Sequence, residues 1–141
     1  MAVVIDADGL VVGRLATGVA KMLLKGDEVV IINAEKAVIS GSRDSLVAEF
    51  KHRRFVGSQR KGPYYPRMPD RILRRAVRGM LPQKSARGRA ALHRLGVYMG
   101  VPVKYTDAKP VQIESAVKPG IRTCMKLGDL SRILGANLGG S

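Results

Sequence analysis

The first half of this sequence predicts an α/β fold built on a parallel strand–helix–strand unit, and three observations carry that prediction. Val3 to Ile5 and Val29 to Ile32 are short β-branched runs of the kind that buried parallel strands show. Between them Leu15, Val19, Met22 and Leu23 recur at helical spacing. The interval is long enough for a crossover helix, and such a unit is right-handed by the usual chirality. With 141 residues, 45% of them hydrophobic, the chain suits one domain with a real core and is short for two, so residues 1–141 are expected to form a single domain.

Each element has its own signal. Asp6, Asp8 and Gly9 close the first strand as a turn. A helix over Leu10 to Leu24 stops at Gly26. Ala37 to Ile39 suits a short third strand, and Ser42 caps a helix through Leu46, Val47 and Phe50. Phe55 to Pro69 holds two glycines and three prolines and reads as a long loop, which in a compact domain is usually functional or disordered. Pro69 suits the first position of a helix running to about Val77 and ending near Gly79, with Asp70 at its positive dipole end. Ser85 begins another helix through Leu95, although Gly88 inside it costs about 1 kcal/mol relative to Ala. Val97 to Met99 is the fourth strand candidate, and Val101 to Gly120 reads as irregular. Thr123 to Lys126 is extended, and Asp129 to Leu134 forms a short terminal helix.

Charge is distributed unevenly. The net charge is +14, and 14 of the 25 basic residues lie between Lys51 and Arg94 with a single acid, Asp70. Self-repulsion on this scale disfavours a compact state, and the usual reason to tolerate it is a polyanionic partner. Arg71, Arg74, Arg75 and Arg78 occupy i, i+3, i+4 and i+7 of one helix, so they share a stripe, while Ile72, Leu73, Ala76, Val77 and Met80 cover the other side. Four like-charge pairs at these spacings cost about 1 to 2 kcal/mol in an isolated helix, and no acid is interleaved to relieve them. Phosphates would. Arginine outnumbers lysine in the block, and its planar fork suits phosphate contact and stacking on bases. Arg60, Lys61 and Arg67 extend the patch into the loop, and Arg53, Arg54, Lys84, Arg87, Arg89 and Arg94 complete the candidate RNA-binding set. Tyr64 and Tyr65 either stack on exposed bases or pack the loop onto the domain, and the sequence leaves both open.

Signals for chemistry are weak. Gly9 and Gly13 lie where a dinucleotide fingerprint would, with Glu35 beyond, but the spacing fits neither nucleotide-binding motif, and Gly13 is expected to serve helix–strand packing. His52 and His93 have no neighbouring carboxylate in sequence to orient them. The lone Cys124 excludes an internal disulfide or a cysteine-based zinc cluster and fits a reducing compartment. No membrane span or signal peptide is evident, so a cytoplasmic protein with no cofactor, metal or small-molecule substrate is expected.

Four stretches, GRLATGVAKMLLKG (Gly13 to Gly26), VIINAEKAVISG (Val30 to Gly41), RGMLPQKSARG (Arg78 to Gly88) and VYMGVP (Val97 to Pro102), resemble the ribosomal protein L-thirteen family of the large subunit, in the family's order. The most specific is RGMLP-x-K-x-x-RG. The chain lacks the insertion that bacterial members carry between first helix and second strand, and the long C-terminal extension of eukaryotic members, so it is most similar to the compact archaeal form. The resemblance implies a three-layer α/β/α core with a four-stranded, mostly parallel sheet of order 3-2-1-4, carrying a basic loop–helix–helix segment over residues 51–94. It also implies a non-enzymatic role in binding and organising large-subunit rRNA beside neighbouring ribosomal proteins, with Arg78, Lys84, Arg87 and Arg89 at RNA. Two rival expectations are a nucleotide-using enzyme on the strand–helix–strand unit and a free regulatory RNA-binding protein.

Overall fold

The computed structural model describes residues 2–56, 60, 65–111, 113, 116–117 and 123–138. Strand β1 (Ala2–Asp6) leads into helix α1 (Val12–Lys25), which returns the chain to strand β2 (Glu28–Ile32). Gly26 ends α1 in the left-handed conformation, φ 105°, and its N–H bonds back to the carbonyls of Leu23 and Met22. β1 and β2 are parallel and in register from Ala2 opposite Glu28 to Asp6 opposite Ile32. The parallel strand–helix–strand unit is therefore present as expected.

A single turn of 3-10 helix, Ala34–Lys36, separates β2 from β3 (Val38–Ser40). Helix α2 (Arg43–Phe55) follows, with the Ser42 hydroxyl accepting from the Ser45 N–H at 3.3 Å. Helices α3 (Pro69–Gly79) and α4 (Ala86–His93) are joined by a tight turn, and β4 (Leu95–Val97) comes directly after. β5 (Cys124–Lys126) and α5 (Leu127–Ile133) complete the described elements.

Two features differ from expectation. The parallel sheet among the described residues has three strands in the order β1-β2-β4, and the third-strand candidate at Ala37 to Ile39 is not one of them. β3 instead pairs antiparallel with β5, Ile39 opposite Met125. Chain length explains the difference. A parallel neighbour needs a crossover of a dozen or so residues, and only Asn33 to Ala37 separate β2 from β3. Asn33, at φ 56°, makes the sharp turn that sends the chain away from the sheet. β4 also begins two residues earlier than Val97, because Leu95 is buried opposite Val29 and Gly96 pairs with Val30.

The sheet's two faces are covered unequally. Ile5, Val29 and Ile31 meet Leu15, Val19 and Leu23 of α1 and Leu73 and Val77 of α3 in the main core. Val4, Val30 and Ile32 alternate to the other face, where Tyr105 and Ala108 cover them from a short turn segment. Beyond the free edge of β1, Val111 makes an isolated parallel bridge to Ile5, and its N–H donates to the Val4 carbonyl at 2.8 Å.

Gly88 has a reason that helix propensity hides. A Cβ at this position would fall 2.0 Å from the Pro82 carbonyl oxygen. The backbone of the α3–α4 turn thus packs directly on the first turn of α4, whose N-cap Ser85 accepts from the Gly88 N–H at 3.1 Å.

Candidate nucleic-acid interface

α3 begins at Pro69, with Asp70 in its first turn and Arg78 in its last, charges that suit the helix dipole at each end. Ile72, Leu73 and Val77 are buried and fix the helix on the core. The arginine stripe that the spacing predicts is present but divided. Arg71 and Arg78 are exposed, whereas Arg74 and Arg75 are half-buried. Arg74 donates to the Leu95 carbonyl at 2.7 Å and to the Leu92 carbonyl at 3.3 Å. Its guanidinium is therefore turned inward to the α4–β4 junction, correcting the expectation that all four point outward.

Two more arginines serve a helix end. Arg94 donates to the Leu23 carbonyl at 2.6 Å, and Arg87 to the Leu24 carbonyl at 2.9 Å. Both carbonyls belong to the last turn of α1, where unpaired acceptors and the negative dipole end favour a cation. Arg94 is half-buried, while Arg87 is exposed beyond its one contact. Arg54, at the end of α2, donates to the Tyr65 carbonyl.

Tyr65 takes the packing alternative. Its ring meets Phe50 edge-on at 5.9 Å, with the Arg75 guanidinium 4.5 Å and that of Arg53 5.7 Å from its centroid. Arg53 also pairs with Glu49 one turn earlier on α2. Lys61 and Tyr64 lie outside the described residues.

The remaining members of the predicted set, Arg60, Arg67, Arg71, Arg78, Lys84 and Arg89, are exposed. Arg78, Lys84 and Arg89 bracket the α3–α4 turn, which Gln83 braces by donating to the Arg78 carbonyl at 2.9 Å. Arg67, Arg71, Arg78, Lys84 and Arg89 have no carboxylate partner among the described residues. Such a surface presents several uncompensated cations, most of them planar forks, on a rigid support. Chemically it suits bidentate contact with phosphate.

Other candidate chemistry resolves into structure. Asp6 accepts from the Asp8 N–H and the Asn33 side-chain amide, each at 3.0 Å, and Glu35 accepts from the Gly100 N–H at 3.0 Å. These carboxylates hold turns. Gly13 does not serve close packing, since a Cβ there would meet nothing within 4 Å. Among the described residues no three His, Cys, Asp or Glu side chains cluster as metal ligands would, and no helix is long and apolar enough to cross a membrane.

Two places were not singled out by the sequence. Arg14 and Thr17, on the scaffold helix α1, join Arg53 and Tyr65 around a cleft of about 550 Å³. Their i, i+3 spacing marks one helix face, but nothing in it indicates which loop comes to lie opposite. Asn137, near the C-terminus, lines a cleft with three of the predicted arginines.

The model of the family described as Ribosomal protein L13 matches residues 1–104. A large ribosomal subunit protein uL13 of Methanococcoides burtonii is 53% identical over 135 residues, spanning 94% of this chain and 97% of the relative. The protein of the same name from Thermoplasma acidophilum is 46% identical over 132 residues, spanning 94% and 97%. That of Archaeoglobus fulgidus is 47% identical over 135 residues, spanning 94% of this chain and 86% of the relative.

Proposed function

Because the chain belongs to the ribosomal protein L13 family, we propose that it is a structural, non-enzymatic constituent of the large ribosomal subunit that binds and organises rRNA. In this reading residues 1–141 act as one ribosomal-protein domain in the ribosome, the segment 51–94 faces RNA, and neighbouring subunit proteins are its other partners. The observation that carries the reading is the exposed set Arg67, Arg71, Arg78, Lys84 and Arg89, which lacks carboxylate partners among the described residues. Folded RNA supplies the missing counter-charge, and contacts to its backbone favour shape over base identity.

Within the predicted RNA-binding set the geometry supports a division of labour. Arg74 and Arg94 serve the protein's own carbonyls, and Arg53, Arg75 and Tyr65 brace the entry to α3, where Arg54 contributes one nitrogen to the Tyr65 carbonyl. Arg87 does both, holding α1 while keeping the rest of its fork at the surface. Arg60 and Lys61 belong to the RNA-facing set by charge and position in sequence. The parallel bridge at Val111 supports a fourth strand position beside β1, and a three-layer core stays within the proposal on family grounds.

Binding to protein-free large-subunit rRNA tests this directly. The log of the affinity should fall with log salt by about 0.7 to 0.9 per neutralised phosphate, depending on RNA form. Changing Arg78, Lys84 and Arg89 together to Gln should flatten that slope by about 2 to 3. An unchanged slope would remove this turn from the interface. The unaltered protein should also sediment with large subunits at low salt and be stripped from them by concentrated salt.

A further inference from the structure

We infer that the C-terminal tail and three arginines form one site for an RNA phosphodiester, an inference that rests on the ribosomal reading above. A cleft of about 640 Å³ lies beside the start of α3, lined by Arg54, Arg67, Arg71, Asp70 and Asn137 together with the linker at Pro66 and Met68. The three guanidinium groups come from three places: the last turn of α2, the linker before α3, and the first turn of α3. Asn137 arrives from the tail after α5. The fold alone brings them together.

Gly135, at φ 96°, turns the tail after α5, and a Cβ built there would stand 3.6 Å from Arg67 Nη1. The Arg67 guanidinium therefore lies beside the tail at Gly135, and Asn137 of the same tail lines the cleft. Arg67 and Arg71 have neither a hydrogen bond nor an ion pair among the described residues, and Arg54 uses one nitrogen on the Tyr65 carbonyl. Asp70 is the single carboxylate in the lining. It forms no ion pair with Arg67 or Arg71, and its Oδ1 is buried without a hydrogen-bond partner. Three cations against one carboxylate leave the cleft positive, which suits an anion that several forks can grip at once. Arg71 and Arg78 share one face of α3 about 10 Å apart, so the cleft continues the exposed line that leads from the α3–α4 turn. An RNA backbone crossing that turn enters the cleft along this line, and this continuity favours a phosphodiester over an isolated anion or an acidic peptide.

The full chain is titrated with protein-free large-subunit rRNA over a range of salt, in three forms beside the parent: Arg67→Gln with Arg71→Gln, Asn137→Asp, and the Arg78, Lys84 and Arg89 variant described above. The first should flatten the salt slope by about 1 to 2. Asn137→Asp, nearly isosteric, places a negative charge beside the three arginines and should weaken binding by about fivefold to tenfold. Should both cleft variants keep the parent's affinity and slope while the turn variant loses its share, the cleft proposal is overturned and the ribosomal reading stands. If the turn variant is unaffected as well, both fall. Inorganic phosphate supplied alone gives a separate arm. If it shifts the Asn137 side-chain amide resonance and rRNA does not displace it, the cleft is a free-anion site and the phosphodiester assignment is wrong.

Discussion

Arg94 and Arg78 belong to the same basic block, yet chemistry assigns them opposite tasks. Arg94 is half-buried and reaches the Leu23 carbonyl, an acceptor that Gly26 also uses, so losing the arginine weakens the end of α1 without orphaning the carbonyl. Arg94→Met, which keeps the apolar stem, should cost about 1 to 2 kcal/mol in urea unfolding and leave the salt slope of rRNA binding unchanged. A flattened slope would mean that Arg94 meets phosphate after all. Tyr65 offers the complementary case: its ring is engaged by Phe50, Arg53 and Arg75. Tyr65→Leu should lower stability by about 1 kcal/mol through lost ring contacts while rRNA affinity changes less than twofold. At this scale the sequence identifies which residues are charged but not what each charge touches. The Leu23 carbonyl lies 71 positions before Arg94, and no local spacing rule connects them.

At the scale of elements, local signals were the most legible. Ser42 and Ser85 mark two helix starts, Pro69 a third, and Gly26 the end of α1, all from backbone chemistry acting within a few residues. Pairing was less legible, because it depends on segments far apart in the chain. The Ile32-to-Val38 interval alone argues against a parallel β2–β3 neighbour, but it does not identify β5 as the partner that β3 takes. Gly88 shows a local rule misread. Its propensity cost is set against a backbone contact that no other residue permits. Gly88→Ala should destabilise the protein by about 3 kcal/mol, through overlap with the Pro82 carbonyl, where an exposed helix glycine would gain from the change. Thermal unfolding of the variant decides it, and a raised midpoint would contradict this packing. Leu73, fully buried between α3 and the sheet, should cost about 2 to 5 kcal/mol on truncation to Ala.

The whole molecule is an α/β scaffold carrying a charge imbalance on one segment. Composition made that asymmetry visible at once, since 14 basic residues and one acid fall between Lys51 and Arg94. Only the folded chain separates the cations that hold the protein together from those left without counter-charge, and only folding brings Asn137 to Arg54, Arg67 and Arg71. The central claim is that the second group faces ribosomal RNA. Arginine-selective dicarbonyl labelling, read by mass spectrometry on the free protein and on large subunits reconstituted with it, measures this residue by residue. Arg71, Arg78 and Arg89 should react readily in the free protein and be strongly protected in the particle, while the inward-bonded Arg74 should change little. Equal labelling of Arg71, Arg78 and Arg89 in both states would place their guanidinium groups in open water and contradict the account.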